Sequence, residues 1–276
     1  MPINSGFNNF IPELWSTALL DTLDKGLVLA GLVNTDYQGN ITGQGDTVHV
    51  NKVGSVTVAA YTGSLTWQSP SSSQVTLTID NDYSFSFKVD DLDRVQANVD
   101  LLSQYTSRAA YAIADTIDQD IAAEYANAGL ADINLDVGTD DFYVKLVTAA
   151  QQLDEANVPR MGRWVAVTPK GYANLLQNSN FIHATVGGDR VLATGEIGTI
   201  AGFTVFMSNN LVTTTTSTYQ YMYGTRAAIT HARQLTAAPE AIRLEDSFDT
   251  GVRGRIAWGN KVVQANALGA IVADET

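Results

Sequence analysis

Histidine and cysteine are the residues to consider first for catalysis or metal binding. Histidine occurs three times, at His49, His183 and His231, and cysteine does not occur. The three histidines are far apart in sequence, so the chain lacks the His-Glu-x-x-His helix of zinc proteases. Without cysteine it can form no disulfide, thiolate metal site or thiol nucleophile. We therefore predict no metal site and no histidine-based catalysis.

A glycine-rich segment and two pairs of acids are the other candidates for chemistry. Residues 195–202 lack the Lys-Ser/Thr of a phosphate-binding loop, and their glycine spacing does not match a dinucleotide-binding fingerprint, so we predict a tight turn. Residues 90–91 and 140–141 are Asp pairs that precede predicted helices, where negative charge complements the helix dipole. No Gly-x-Ser-x-Gly motif is present. We expect no catalytic residue and no cofactor.

Composition predicts a globular, acidic protein. The chain has 276 residues, of which 45% are hydrophobic, and its formal net charge is −13. Binding to DNA by counterion release needs clustered Lys and Arg, and the sequence has no basic run. It also has no N-terminal signal pattern and no apolar stretch of membrane-spanning length. We expect a chain that is made in the cytosol and does not bind membranes.

The first part of the chain predicts an N-terminal arm and a long hairpin. Apolar residues recur at helical spacing in residues 11–32. From residue 45 to residue 89 they alternate with polar ones, which predicts strands. Between the two strand runs, residues 59–73 hold Tyr61, Trp67 and a serine-rich turn, which predicts the hairpin tip. Two aromatic side chains at an exposed tip indicate a partner surface.

A long helix and a mixed region are predicted next. An apolar stripe predicts one helix over residues 90–129, with Asp90 as its cap, Gly129 at its end, and Asp115 and Asp118 facing solvent. Residues 140–157 predict a second helix that ends before a proline, residues 163–168 a buried strand and residues 170–178 a short helix. Further strands are predicted at residues 219–223, 227–231, 241–245, 253–258 and 261–265. This order predicts an α+β fold.

The order of elements resembles the Hong Kong 97 type capsid fold of tailed-bacteriophage major capsid proteins over nearly the whole chain. Two segments carry most of the resemblance: residues 158–169, VPRMGRWVAVTP, and residues 198–211, GTIAGFTVFMSNNL. They look like axial-domain segments of many phage coat proteins. The resemblance implies a major capsid protein that self-assembles into an icosahedral shell around a double-stranded DNA genome. Its implied location is the virion capsid, after assembly in the cytoplasm of the bacterial host.

The resemblance also implies a division of the chain into five parts. These are an N-terminal arm (1–44), an extended loop (45–89), a spine helix of the peripheral domain (90–129), an axial domain (130–238), and returning peripheral-domain strands with a C-terminal strand (239–276). A turn at residues 248–252 would lie near local three-fold contacts. The implied intersubunit contacts are Tyr61, Trp67, Phe248 and Asp249.

The implied partners are copies of the chain itself, in hexamers and pentamers. A portal, a decoration protein and a scaffolding protein are also implied, and the scaffold is expected to be a separate protein because Met1 leads almost directly into the arm. Some family members cross-link through a lysine near the loop tip. Residues 53–83 contain no lysine, and Lys52 and Lys88 lie down the hairpin arms, so we expect no covalent links. The DNA would be enclosed without sequence-specific binding.

Two other functions are compatible with the sequence. An encapsulin-like nanocompartment would use the same fold to hold a cargo enzyme. A soluble β-rich binding protein or hydrolase would need a set of converging polar side chains, which the sequence does not reveal. A monodisperse monomer in size-exclusion chromatography would favour that second alternative.

Overall fold

The chain combines four helices and eleven strands in the described residues. The computed structural model describes residues 28–36, 47–53, 56–58, 60, 63, 67, 69, 72–90, 101–177, 199–244 and 249–276. The helices are α1 (Leu29–Leu32), α2 (Leu101–Ala123), α3 (Phe142–Glu155) and α4 (Pro169–Gln177). The strands are β1 (Thr47–Val53), β2 (Ser72–Thr78), β3 (Asn81–Asp90), β4 (Ile133–Asp136), β5 (Arg163–Val167), β6 (Thr199–Ile200), β7 (Phe203–Met207), β8 (Thr218–Thr225), β9 (Ile229–Arg243), β10 (Asp249–Val262) and β11 (Leu268–Asp274). This mixture confirms the α+β class.

The strands form three separate sheets. Strands β1 and β2 make a two-stranded ladder, and β3, β10 and β9 make a three-stranded sheet in that order. The third sheet has six strands in the order β4-β11-β8-β5-β7-β6. Its β4–β11 and β5–β7 pairs are parallel, whereas its other pairs are antiparallel. The non-sequential order means that the chain crosses between sheets several times.

The main core lies between the six-stranded sheet and the helices. Strand β5 is buried at all five positions, as a central strand covered on both faces should be. Helix α3 buries the residues that recur on one of its faces, which are Phe142, Leu146, Ala149 and Leu153. Burying each of the larger side chains stabilises the fold by roughly 1.5–3 kcal/mol. These residues belong to the apolar core against which the sheet packs.

Helix α3 begins and ends close to where the sequence predicts. The carboxylate of Asp141 accepts a hydrogen bond from the backbone N–H of Tyr143 at 3.0 Å, which makes Asp141 the N-cap. The helix ends at Glu155, before Val158 and Pro159. The prediction that the acidic pair at residues 140–141 precedes a helix and the predicted proline stop are both confirmed.

The predicted hairpin is present, but its second ladder belongs to another sheet. Strands β1 and β2 pair antiparallel from Thr47 opposite Thr78 to Val53 opposite Ser72. Strand β3, whose alternation was expected to extend the hairpin to residue 89, pairs instead with β10. Alternation shows which side chains share a face but does not identify the partner strand. The hairpin ladder therefore ends at Thr78.

Helix α2 differs from its prediction at both ends. Asp90, expected as its cap, is the last residue of β3 and lies opposite Asp249, while residues 91–100 lie outside the described residues. Helix α2 ends at Ala123, and a 3-10 turn follows before Gly129. The Gly129 N–H donates to the Ala265 carbonyl at 2.9 Å, and a Cβ at Gly129 would collide with Ala265. Glycine is needed there for close backbone approach and not as a helix end.

The last third of the chain contains fewer and longer strands than predicted. Strand β9 covers two predicted strands and the predicted domain boundary at residues 238–239. Its Pro239 is tolerated because β9 is an edge strand. Residues 249–252, expected as a turn, begin β10 and pair with β3. Strand β11 lies between β4 and β8 in the six-stranded sheet.

Candidate functional site

The two histidines that the structure describes, His49 and His231, lie in different environments. His49 is exposed on the hairpin, where its ring lies 3.3 Å from the Thr76 hydroxyl. His231 is buried, and His183 lies outside the described residues. Across the described ranges, no group of three acidic or histidine side chains could hold a metal ion, and no helix is long and apolar enough to cross a membrane.

The described part of the glycine-rich segment is a tight turn. Strands β6 and β7 pair with Ile200 opposite Phe203, so only Ala201 and Gly202 connect them. Both residues have positive φ, at 49° and 86°, as the two central residues of a type I′ hairpin turn require. The predicted turn is confirmed.

The second segment that carried the resemblance, residues 158–169, is organised by a buried arginine. The Arg163 side chain is only 2% exposed, and its Nη2 contacts the Asp154 carboxylate at 2.7 Å and the Val158 carbonyl at 2.6 Å. Arg163 Nε donates to the Pro159 carbonyl at 3.0 Å. Hydrogen bonds from Arg160 and Arg163 lower the pKa of Asp154. This segment fixes the loop between α3 and β5, so its role is structural.

The hairpin is rooted on one face of the three-stranded sheet. Leu77 and Ile79, at the end of β2, pack with Ala232 and Ala257 in a small core of their own. At Gly259 the backbones come closest, since a Cβ there would lie 2.2 Å from the Thr78 carbonyl oxygen. We call Leu77, Ile79, Ala232, Ala257 and Gly259 the hairpin root. They fix the base of the hairpin on the subunit.

The sequence of the hairpin tip carries no charge, and large apolar side chains described in and beside it are exposed. Trp67 is 90% exposed and Val58 is 95% exposed, while Tyr61 lies outside the described residues. No Asp, Glu, Lys or Arg occurs from Val53 to Ile79. Large apolar side chains on an uncharged projection are typical of a surface that binds a partner.

A second exposed apolar surface lies beside helix α2. Tyr83, Phe85 and Phe87 alternate along β3 and so point to one face of the sheet. The Phe87 ring lies 5.7 Å from the ring of Tyr105 on α2. Tyr83 and Tyr105 are each about half exposed, and the two phenylalanines are partly buried. We call these four residues the aromatic stripe.

Asp120 joins helix α2 to the three-stranded sheet. Its Oδ2 accepts hydrogen bonds from Asn81 Nδ2 at 2.7 Å, Trp258 Nε1 at 2.9 Å and Asn260 Nδ2 at 2.6 Å. The Oδ1 of Asn260 lies 2.6 Å from Nδ1 of the buried His231. Burial is the main cause that lowers the pKa of His231. One carboxylate thus connects the helix to β3 and β10, and through Asn260 to β9.

Asp118 joins α2 to α1, and its burial corrects its predicted exposure. Its side chain is fully buried, and its oxygens accept from the Ala30 N–H at 3.1 Å and from Asn210 Nδ2 at 3.2 Å. Burial raises the pKa of Asp118, and these hydrogen bonds oppose the rise. The sequence pattern missed the burial of Asp118 because an Asp on a helix is usually solvated. In the structure Asp118 shares a helix face with Ala122, which is also buried.

The structure describes two of the four predicted contact residues, Trp67 and Asp249, and they lie on different elements. Trp67 is at the hairpin tip, whereas Asp249 begins β10 and lies opposite Asp90 in the sheet ladder. Tyr61 and Phe248 lie outside the described residues. The aromatic stripe and the hairpin root were not predicted as surfaces, although the alternation predicted over residues 45–89 includes three of the four stripe residues.

Comparisons with known proteins agree on one kind of molecule. A model of the phage capsid protein family matches residues 25–275. A chain from Mycobacterium phage Che8 is 33% identical, with 96% of this chain and 98% of that chain covered and a TM-score of 0.80. No curated protein matches the chain.

Two more distant structures share the fold. A chain in the capsid structure of cyanophage P-SCSP1u is 20% identical, with 99% of this chain and 96% of that chain covered and a TM-score of 0.78. A chain in the capsid of a native GTA particle is 13% identical, with 98% of this chain and 97% of that chain covered and a TM-score of 0.71. The similarity spans these chains almost from end to end.

Proposed function

The chain belongs to the phage capsid protein family, and from this premise we propose that it encloses the double-stranded DNA genome of a tailed phage. It is a major capsid protein with the Hong Kong 97 type fold, and its place is the virion capsid. The observation that carries the proposal is the family match over residues 25–275. The encapsulin-like alternative is not favoured, because the similar solved structures come from phages and related particles.

The proposed mechanism is assembly through repeated weak contacts. The hairpin root holds the base of the hairpin, and the exposed tip with Trp67 extends to a neighbouring subunit. Each contact is weak alone, but every subunit makes it, and closed symmetry adds the contacts together. Small changes at the tip and the arm would let one chain occupy both hexameric and pentameric positions.

The acidic composition of the chain supports a container role for this protein. A formal net charge of −13 repels phosphate, so the DNA would be confined by the shell and not bound by its sequence. We propose that assembly takes place in the host cytoplasm on a separate scaffolding protein, around a portal, with room for a decoration protein outside. These partners would guide shell size and closure. No enzymatic step is part of the proposal.

Limited proteolysis of free subunits and of particles tests this mechanism. We expect cleavage between Ala59 and Ser73 in the free subunit and protection of the same segment in sedimented particles. Electron microscopy of the same samples should show closed shells. Equal cleavage in both states would contradict the role of the tip. A chain that stays a monodisperse monomer, with scaffold present, would contradict the shell function itself.

A further inference from the structure

Residues 28–36 lie against two elements that are far apart in the chain. Helix α1, within this segment, contacts helix α2. On the other side, the Asn34 N–H donates to the Ile229 carbonyl at 2.9 Å, and the Asn34 carbonyl accepts from the His231 N–H at 2.8 Å. These two bonds form a short parallel bridge to β9. We call residues 28–36 the strap, because they join α2 to the start of β9.

Asp118 is the polar contact between the strap and helix α2. Its carboxylate accepts from the Ala30 N–H at 3.1 Å, and the N–H groups of Leu29 and Val28 also point to it. These are the donors that the first turn of a helix leaves unpaired, and Val28, at the N-cap, has no polar side chain to satisfy them. A helix of four residues is not stable by itself. Helix α1 therefore depends on an acceptor that a different helix supplies.

Two opposing contributions act when the strap docks. Leu29 and Val33 are buried in the main core, and Arg226 Nε donates to the Val33 carbonyl at 3.1 Å, which favours docking. Asp118 is fully buried among neutral N–H donors, and a carboxylate that leaves water without a cation loses much of its hydration. Burial accordingly raises the pKa of Asp118. Such a balance allows one segment to open while the sheets stay folded.

We propose that the strap undocks from the subunit as one unit and that Asp118 is the latch that holds it. The strap joins the chain that precedes Val28 to strand β1 of the hairpin, so its release gives the chain on both sides more than one path. The use of this movement to fit one chain into hexameric and pentameric positions rests on the proposed shell function. The release itself is a property of the single subunit.

Hydrogen exchange of the free subunit, followed by mass spectrometry, tests the latch. Asp118→Ala removes the acceptor, so we expect amides of residues 28–36 to exchange at least about tenfold faster, the equivalent of one hydrogen bond to a charged group. Peptides from α3 and β5 should keep their rates. Gln119→Ala is the matched control, because Gln119 is the next residue of α2, is exposed, and bonds to Asp115 within the same helix. It should leave the strap protected.

Two results with these variants would overturn the latch. One is an unchanged exchange rate for residues 28–36 in Asp118→Ala. The other is faster exchange throughout the subunit, since Asp118 would then support the whole fold and not the strap. Neither measurement uses assembled particles. Failure of the unmodified chain to form shells would instead overturn the proposed function and leave the latch intact.

Exchange of the unmodified subunit in low concentrations of urea covers the case in which Asp118→Ala does not fold. Local opening exposes little surface, so its rate changes little with urea, whereas global unfolding responds strongly. We expect the strap amides to exchange together, faster than those of α3 and β5, and almost independently of urea. Strap amides that exchange only through the urea-dependent unfolding of the core would contradict release as a separate unit.

Discussion

Asp120 shows how one side chain can unite elements that are far apart in sequence. Its three donors come from Asn81, Trp258 and Asn260, so it connects helix α2 to both neighbouring strands β3 and β10. Asp118 makes a similar connection from α2 to Ala30 in α1. Neither role is visible in the sequence, because the partners of each acid are distant in the chain and an Asp on a helix is usually solvated. The sequence pattern predicted a solvated helix face.

Gly259 is the residue at which a single added group should disturb the hairpin root. We expect Gly259→Val to lower the free energy of unfolding by about 1–3 kcal/mol, because the new side chain would enter the space of the Thr78 carbonyl. Urea unfolding of the soluble subunit measures this. Gly31→Val is the matched control, since a Cβ at Gly31 meets nothing within 4 Å. Equal midpoints for the two variants would contradict the close approach.

His231 should make the subunit less stable in acid. Its pKa lies below the ordinary value of 6.5, chiefly through burial and also through Arg233, while Asn260 and Asp120 oppose the shift. The unfolded chain therefore takes up a proton at higher pH than the folded chain does. The stability is present in full above the unfolded pKa of about 6.5, and it is lost as the pH falls from there through the lower pKa of the folded chain.

Urea unfolding at about pH 7.5 and about pH 5.5 measures the contribution of His231. His231→Asn keeps a donor near Asn260 but cannot titrate, so we expect it to lose much less stability on acidification than the unmodified chain. His49→Asn, on the exposed hairpin, serves as the control and should retain the full loss. An unchanged loss in His231→Asn would assign the acid sensitivity to other groups.

At the scale of elements, the sequence predicted the helices and strands themselves well, but it predicted poorly which strands pair with one another. Helix α3 and strand β5 appear where periodicity and Pro159 place them, because their signals are local. The pairing of β3 with β10 joins residues more than 150 positions apart, and no local pattern carries that information. For the same reason Trp67 could be predicted as a surface residue, whereas the aromatic stripe needed the fold.

Helix α2 should not tolerate a break in its middle. Ala112→Pro removes a backbone hydrogen bond and clashes with the preceding turn, so we expect a loss of about 3 kcal/mol or more and no assembly. Ala112→Glu is the control, because Ala112 is exposed and Glu is a good helix former. Circular dichroism and sedimentation of the two variants measure the difference. Soluble, assembly-competent Ala112→Pro protein would contradict the continuous helix.

At the scale of the whole molecule, the shell should hold together without covalent links between coat subunits. The chain has no cysteine, and its hairpin tip has no lysine for an isopeptide bond. Cohesion would then come from buried apolar area, at about 25 cal/mol per Å² before the cost of ordering. Boiled particles on a denaturing gel should give one coat band near 29.6 kDa. A ladder of coat multimers would point to Lys52 or Lys88 as donors.

A three-dimensional reconstruction of assembled particles by electron cryo-microscopy tests the central claim most directly. The protein would be expressed with its scaffold, purified as particles and reconstructed with icosahedral symmetry. We predict a closed shell in which this chain occupies hexameric and pentameric positions and each hairpin tip lies over a neighbouring subunit. Particles with the tip folded against its own subunit, or no closed particle at all, would contradict the account.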